Sequence, residues 1–329
     1  MNRNKLIQQT FQINSDDTLN DQALRIFRYQ YQNNPIYSDF VDKLKVKINR
    51  VDHYLKIPFL PIGFFKTHRI ISGKEQIAGF FSSSGTTGDS VSKHFYTDPA
   101  LYERSFTTHF EQVYGKVTDY CIRALLPSYL ERKGSSLIFM VEDLIQKSGH
   151  PEGGFYLDEH EKLAEMLRLL DSSGQKVLLI GVSFALLDFI EKYKFTLQNT
   201  TIMETGGMKG RRREILREDL HRRLCDGFGV SKIHSEYGMT ELFSQAYSSG
   251  DGIFTPPSWM KILIRDVNDP LTLLPAGKTG GINIIDLANI DSCSFIATQD
   301  LGKTFSDGSF EVVGRFDNSD VRGCNLMVS

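Results

Sequence analysis

Four short stretches carry residue types suited to phosphate and acyl chemistry. In Ser82-Ser83-Ser84-Gly85-Thr86-Thr87-Gly88, five hydroxyls and two glycines fill seven positions ahead of Lys93. Backbone N–H groups of small residues can converge on an anion, and hydroxyls add donors. Gly85 and Gly88 are three apart and Lys93 lies five further on, which is not the Walker spacing. Taken alone, the loop also reads as a solvent-exposed structural turn. Tyr237-Gly238-Met239-Thr240-Glu241 follows an apolar run. A carboxylate beside a phosphate loop suits Mg²⁺, which takes oxygen ligands and shares them with substrate phosphates, and the Thr240 hydroxyl can donate to a phosphate oxygen. The same two residues also fit the first turn of a helix. Gly206-Gly207 follows the strand-like TTIMET and leaves room for a flat ring against the backbone. Asp300 can accept from ribose hydroxyls, and Arg315 has forked donors for a phosphate.

Other signals are weaker. Glu218–Arg222 and Asp219–Arg223 are i,i+4 pairs of a solvated helix face, and the basic run Arg211–Arg213 reads with them. Asp307-Gly308 is a hairpin turn. Gly181-Val182-Ser183-Phe184-Ala185 comes close to a G-x-S-x-G nucleophile elbow, but the last glycine is missing and no Asp-then-His order follows, so hydrolysis is set aside. That segment is better placed beside an acyl pocket. His234 suits either the carboxylate site or a structural bond. The four cysteines, Cys121, Cys225, Cys293 and Cys324, show no metal-ligand spacing, which favours reduced thiols and a cytoplasmic location. The first three read as structural; on residue type alone Cys324 reads as a small packed hydrophobe too.

The elements that must position these residues follow from periodicity. Residues 16–48 have helical spacing. Strand-like runs then recur (QIAGFF, SSLIFMV, KVLLIGV, TTIMETGG, SKIHSEYG), with helical patterns between them (HEKLAEMLRLLDSSG, FALLDFIEKYKF, RREILREDLHRRLCDGFG). Alternation of this kind predicts an α/β domain with a largely parallel sheet. From about Gly252, short segments with Pro and Gly turns predict an appended antiparallel β module. With no linker in view, 329 residues read as one unit: a helical part over 1–80, an α/β nucleotide-binding part over 81–250 and a β-rich part over 251–329. A net charge of −2 does not suit nucleic acid or an anionic membrane. The N-terminus lacks the apolar core of a signal peptide, and the longest apolar run, Val177–Ile190, is too short to span a bilayer.

In this order, the stretches resemble the adenylate-forming superfamily of acyl-CoA synthetases, adenylation domains and luciferase. Its phosphate loop is matched by Ser83 to Lys93, its adenine-contacting glycines by Gly206-Gly207, and its Y-G-x-T-E by Tyr237 to Glu241. Its ribose aspartate is matched by Asp300 and its hinge G-R-x-D by Gly314 to Asp317. The resemblance implies the large N-terminal domain of that fold: mostly parallel sheets flanked by helices, plus a small β module. It implies ATP and Mg²⁺ as reactants, with Thr240 on phosphate and Glu241 on the metal. Members usually continue past the hinge into a small domain with a catalytic lysine; this sequence stops at GRFDNSDVRGCNLMVS. That ending, with IPFLPIGFFK, GGFYLD, EYGMTELFSQAY and RGCNL, is similar to the LuxE-type acyl-protein synthetases of bacterial luminescence. There, a cysteine near the C-terminus takes the acyl group as a thioester and passes it to a reductase; the matching residue is Cys324. The expected activity is therefore ATP-dependent activation of a fatty or other apolar acid, with Lys93 and Arg315 as cations and Cys324 as acceptor. The partner is a reductase, a carrier or coenzyme A. The alternatives are an acid–CoA ligase and a nucleotide- or acyl-binding subunit that docks through its basic helix.

Overall fold

The computed structural model describes residues 2–83, 91–126, 134–157, 159–206 and 215–316. Three helices open the chain: α1 (Arg3–Thr10), α2 (Asp16–Asn33) and α3 (Pro35–Lys43). Ser15 and Thr18 form a capping box on α2, and Asn34 caps α3 ahead of Pro35 at its first position. After β1 (Leu60–Pro61) and the one-turn α4 (Phe64–Thr67), β2 (Gly79–Ser82) and β3 (Lys93–Tyr96) pair as an antiparallel hairpin, with Ser82 opposite Lys93. The Ser/Thr/Gly-rich stretch joins these two strands. Its Ser84, Gly85, Thr86, Thr87 and Gly88 lie outside the described residues, as do Gly207 and Cys324.

Helices and strands then alternate. They are α5 (Pro99–Tyr114), β4 (Cys121–Leu125), α6 (Ser136–Ser148), β5 (Gly154–Phe155), α7 (His160–Ser172), β6 (Val177–Val182), α8 (Ser183–Lys192), β7 (Thr200–Thr205), α9 (Arg217–Phe228), β8 (His234–Tyr237) and β9 (Ala246–Ser248). The sheet order is β5-β4-β6-β7-β8-β9, parallel except for β9 on the edge. All six residues of β6 are buried, as expected of a parallel strand covered on both faces. One expectation is corrected. The run SSLIFMV is the start of α6, not a strand. Ser135 accepts the Ile138 N–H as its cap, Met140, Val141 and Leu144 bury one face, and Gly149 closes the helix in the left-handed region at φ 64°. On α9, Arg222 pairs with Asp219 at i,i+3 (2.7 Å), not with Glu218 at i,i+4.

The remaining strands are β10 (Ile253–Phe254), β11 (Met260–Arg265), β12 (Leu273–Leu274), β13 (Gly280–Asp286), β14 (Phe295–Thr304) and β15 (Phe310–Arg315). They form an antiparallel sheet in the order β10-β15-β14-β13-β11-β12, and β1 pairs in parallel with β14. The first helices pack here. Phe27 meets Phe295 edge-on and Tyr37 stacks on it, with centroids 6.2 and 6.1 Å away. The buried Gln30 amide donates to the Asn289 and Ile290 carbonyls, each at 3.0 Å, and accepts from the Ser294 N–H at 3.0 Å. The loop between β13 and β14 is thus held from the far end of the chain. No helix among the described residues is long and apolar enough to cross a membrane.

Candidate active site

The carboxyl ends of parallel strands are where α/β sheets bind ligands. Here β7 ends in Gly206, exposed and in the left-handed region at φ 66°, and β8 ends in Tyr237-Gly238. At position 238 a Cβ would lie 2.4 Å from Glu236 Oε1, so any residue larger than glycine requires that carboxyl or the turn to shift. Tyr237 is buried and its hydroxyl donates to Asp300 Oδ2 at 2.8 Å. Burial, then the Asp300 carboxylate, raise the Tyr237 phenol well above its usual range, so it stays a donor. Asp300 and Arg315 are direct cross-strand partners of β14 and β15, and Arg315 Nε donates to Asp300 Oδ1 at 3.1 Å. Arg315 remains 72% exposed, leaving its outer nitrogens open to a ligand. The contact between Tyr237 and Asp300 joins the parallel sheet to the antiparallel one.

Thr240 and Glu241 occupy a turn, not the first turn of a helix. Glu241 is buried. Burial raises its pKa, while the Ser92 hydroxyl, its own backbone and Arg315 pull the other way. Ser92 belongs to the hydroxyl-rich hairpin: its N–H donates to Ser83 Oγ (2.9 Å), and its carbonyl accepts from the Ser83 N–H (3.1 Å). The next inward residue of the hairpin, His94, is fully buried and its Nδ1 lies 2.8 Å from the Thr240 carbonyl. Successive side chains on a strand point to opposite faces. Lys93 accordingly lies outside, with Nζ 5.3 Å from the centre of the exposed Phe80 ring. The structure therefore brings together Ser83, Tyr237, Gly238, Thr240, Glu241, Asp300 and Arg315, and leaves Lys93 on the opposite face of β3. Ser92, His94, Glu236 and Asn289 were not singled out from sequence; for Ser92 and His94 the period-two alternation around Lys93 was the available signal.

Other candidates have structural surroundings. Ser183, 1% exposed, donates to Glu204 Oε2 at 3.0 Å. His221 meets Glu204 at 3.6 Å and Ser235 at 3.4 Å, so among the described residues Ser183 bonds a buried glutamate and not a histidine. His234 lies 3.2 Å from the Tyr114 hydroxyl, and burial followed by Lys232 lowers its pKa to about 4. Burial raises the thiols of Cys121, Cys225 and Cys293, the last to about 12, which suits inert packing.

The donor set fits Mg²⁺ in the manner of phosphate-bound magnesium: Glu241 offers hard oxygens, and no group of three His, Cys, Asp or Glu forms a closed cage among the described residues.

No protein-family model matches the chain, and no curated protein matches it. Solved structures do. 2-Hydroxyisobutyryl-CoA ligase in its postadenylation state with 2-HIB-AMP has a TM-score of 0.69 at 12% identity, over 92% of this chain and 68% of that one. ATP-bound MatB from Rhodopseudomonas palustris has 0.55 at 18%, over 74% and 49%. A long-chain-fatty-acid-CoA ligase from Archaeoglobus fulgidus has 0.53 at 17%, over 73% and 52%. The chain thus spans about half the length of the latter two. At these identities the likeness concerns architecture: the chain has the mixed α/β fold of the adenylate-forming ligases.

Proposed function

We propose that this protein activates a carboxylic acid with ATP and transfers the acyl group to a thiol. The observation that carries this reading is the convergence of Tyr237, Asp300 and Arg315 with the Thr240–Glu241 turn, which is tied through Ser92 to the hydroxyl-rich hairpin. A carboxylate oxygen of the acid attacks the α-phosphorus of ATP; the bond to the β-phosphate oxygen breaks and pyrophosphate leaves with its electron pair. Asp300 accepts from the ribose hydroxyls, oriented by Tyr237. Gly206 and Gly207 flank the adenine. Ser83, Ser84, Gly85, Thr86, Thr87, Gly88 and Thr240 donate to phosphate oxygens. Glu241 would hold Mg²⁺, which would supply neutralisation of the phosphate charge. Arg315 is the cation beside the nucleotide; Lys93, the other cation that the sequence resemblance assigns to this step, lies on the outer face of β3 against Phe80. In the second half-reaction a thiolate attacks the acyl-adenylate carbonyl, the C–S bond forms and AMP leaves.

The finer reading is a LuxE-type acyl-protein synthetase: the acid is fatty, the acceptor is Cys324, and the thioester passes to a partner protein. It rests on the sequence resemblance. Coenzyme A is the rival acceptor, favoured by solved relatives that are CoA ligases. Intact-protein mass spectrometry separates the two. Wild type and Cys324→Ala are incubated with Mg-ATP and carboxylic acids of graded length. A hydroxylamine-labile adduct on wild type alone is the expected result. AMP release without an adduct, with acyl-CoA formed on adding coenzyme A, moves the acceptor off the chain. ATP binding with no AMP from any acid overturns the enzymatic reading in favour of a binding subunit.

A further inference from the structure

The Thr240–Glu241 turn has little secondary structure of its own, yet side chains from distant segments pin it on both sides. His94 Nδ1 lies 2.8 Å from the Thr240 carbonyl. Asn289 Nδ2 donates to the next carbonyl, that of Glu241, at 2.7 Å and to that of Cys293 at 3.2 Å. Beyond the turn, Asp286 Oδ2 accepts from the Phe243 and Ser244 N–H groups at 2.8 and 3.0 Å. His94 and Asn289 are both essentially inaccessible. A carbonyl can only accept, so neutral His94 carries its proton on Nδ1. The ring is wedged 4.7 Å from the Phe243 ring and 5.8 Å from that of Phe65, which fixes its direction. Asn289 is in turn braced by Gln30 of α2 through its own carbonyl.

We infer that His94 and Asn289 are positioning residues that hold the Thr240 and Glu241 carbonyls so that both side chains face the phosphate–metal site. This rests on the function proposed above. Both contacts are to the backbone, so neither occupies the Thr240 hydroxyl or the Glu241 carboxyl, and the latter is met by Ser92. Ser92, the hydroxyl that meets Glu241, lies two residues before His94, just ahead of β3. Hairpin and turn are therefore tied at two points, Ser92 to Glu241 and His94 to Thr240. Without His94, the Thr240 carbonyl loses its partner and the Glu241 carboxyl loses the direction in which the turn aims it.

The test is calorimetric titration of wild type and variants with Mg-ATP, and with ATP in EDTA, alongside thermal melting. Wild type is expected to bind Mg-ATP more tightly than metal-free ATP. His94→Leu is expected to lose about 10–100-fold of Mg-ATP affinity, the size typical of support behind a metal ligand, with much less change for ATP in EDTA. His94→Asn returns an N–H close to the Nδ1 position and should recover most of the loss. Asn289→Ala, which removes the other donor, should copy the pattern and serves if His94→Leu does not fold. Unchanged Mg-ATP affinity in folded His94→Leu and Asn289→Ala overturns the inference while leaving the proposed function standing. Equal weakening of both titrations, together with a lower melting temperature, marks a merely structural role and overturns it too. Failure of wild type to bind ATP at all overturns the proposed function, and this inference with it.

Discussion

Two buried carboxyls, one in each sheet, lie in opposite electrostatic company. In the antiparallel sheet Asp300 has the Tyr237 hydroxyl on one oxygen and Arg315 on the other. In the parallel sheet Glu236 has the Thr205 hydroxyl at 2.6 Å as its short contact, and the like charge of Glu204 nearby. Burial, and after it Glu204, push Glu236 up to about 7, against the Thr205 bond. Glu204, one strand over, is equally buried, but His221 and Arg217 outweigh burial and hold it low. The lesson concerns where charge can be kept ready for a ligand. Within the parallel sheet a cation reaches Glu204 from α9 but not Glu236, whereas in the antiparallel sheet Arg315 lies directly across from Asp300.

If Asp300 is the charged anchor of the site, its removal is the largest effect. Asp300→Ala should cut pyrophosphate release by about 100-fold or more, because it removes the ribose acceptor and leaves the buried Tyr237 hydroxyl without its partner. Activity within a few-fold of wild type would break the contrast between the two sheets. Gly238→Ala comes next. Its Cβ would meet Glu236 Oε1 at 2.4 Å, inside any allowed contact, so the turn or the carboxyl must shift. A destabilisation of about 1–3 kcal/mol in urea melts is expected. The double variant with Glu236→Ala should recover much of that cost, since the clash is with that side chain; simple additivity would place the strain elsewhere.

Much of this arrangement was legible in the sequence, for reasons that differ by element. The all-apolar VLLIGV reads as a doubly covered parallel strand because nothing polar interrupts it, and it is one. Helices α7 to α9 are long enough for a 3.6-residue period to show. SSLIFMV misleads because seven mostly apolar residues fit either period, and the deciding features, the Ser135 cap and the Gly149 terminus, flank the run. Tyr237, Asp300 and Arg315 stand out by residue type and spacing. His94 and Asn289 do not: the bond from His94 to Thr240 spans 146 residues, and only the fold brings these segments into contact. Lys93 shows the converse. Its place after the loop suggests a phosphate ligand, yet strand alternation turns it outward while Ser92 and His94 turn in.

The smallest effect expected is a pH-dependent one at Glu236, and it sharpens the contrast most directly. Its folded pKa, about 7, lies above the ordinary carboxylate value, so between the two the native state binds more protons than the unfolded chain. The sign follows: stability from this group is fully present at low pH and is lost as pH rises toward 7, with no further loss well above it. Glu236→Gln keeps the shape of the protonated acid and an acceptor for the Thr205 hydroxyl, but it cannot ionise. The variant should match wild type near pH 4.5 and exceed it by about 3 kcal/mol at pH 8, measured as the difference between urea melts at the two values. A constant difference across that range would mean that the fold does not raise Glu236, so that its surroundings resemble those of Glu204, which His221 and Arg217 hold low. In that case the parallel sheet would hold a second compensated carboxylate, and the distinction between the two sheets would rest on Arg315 alone.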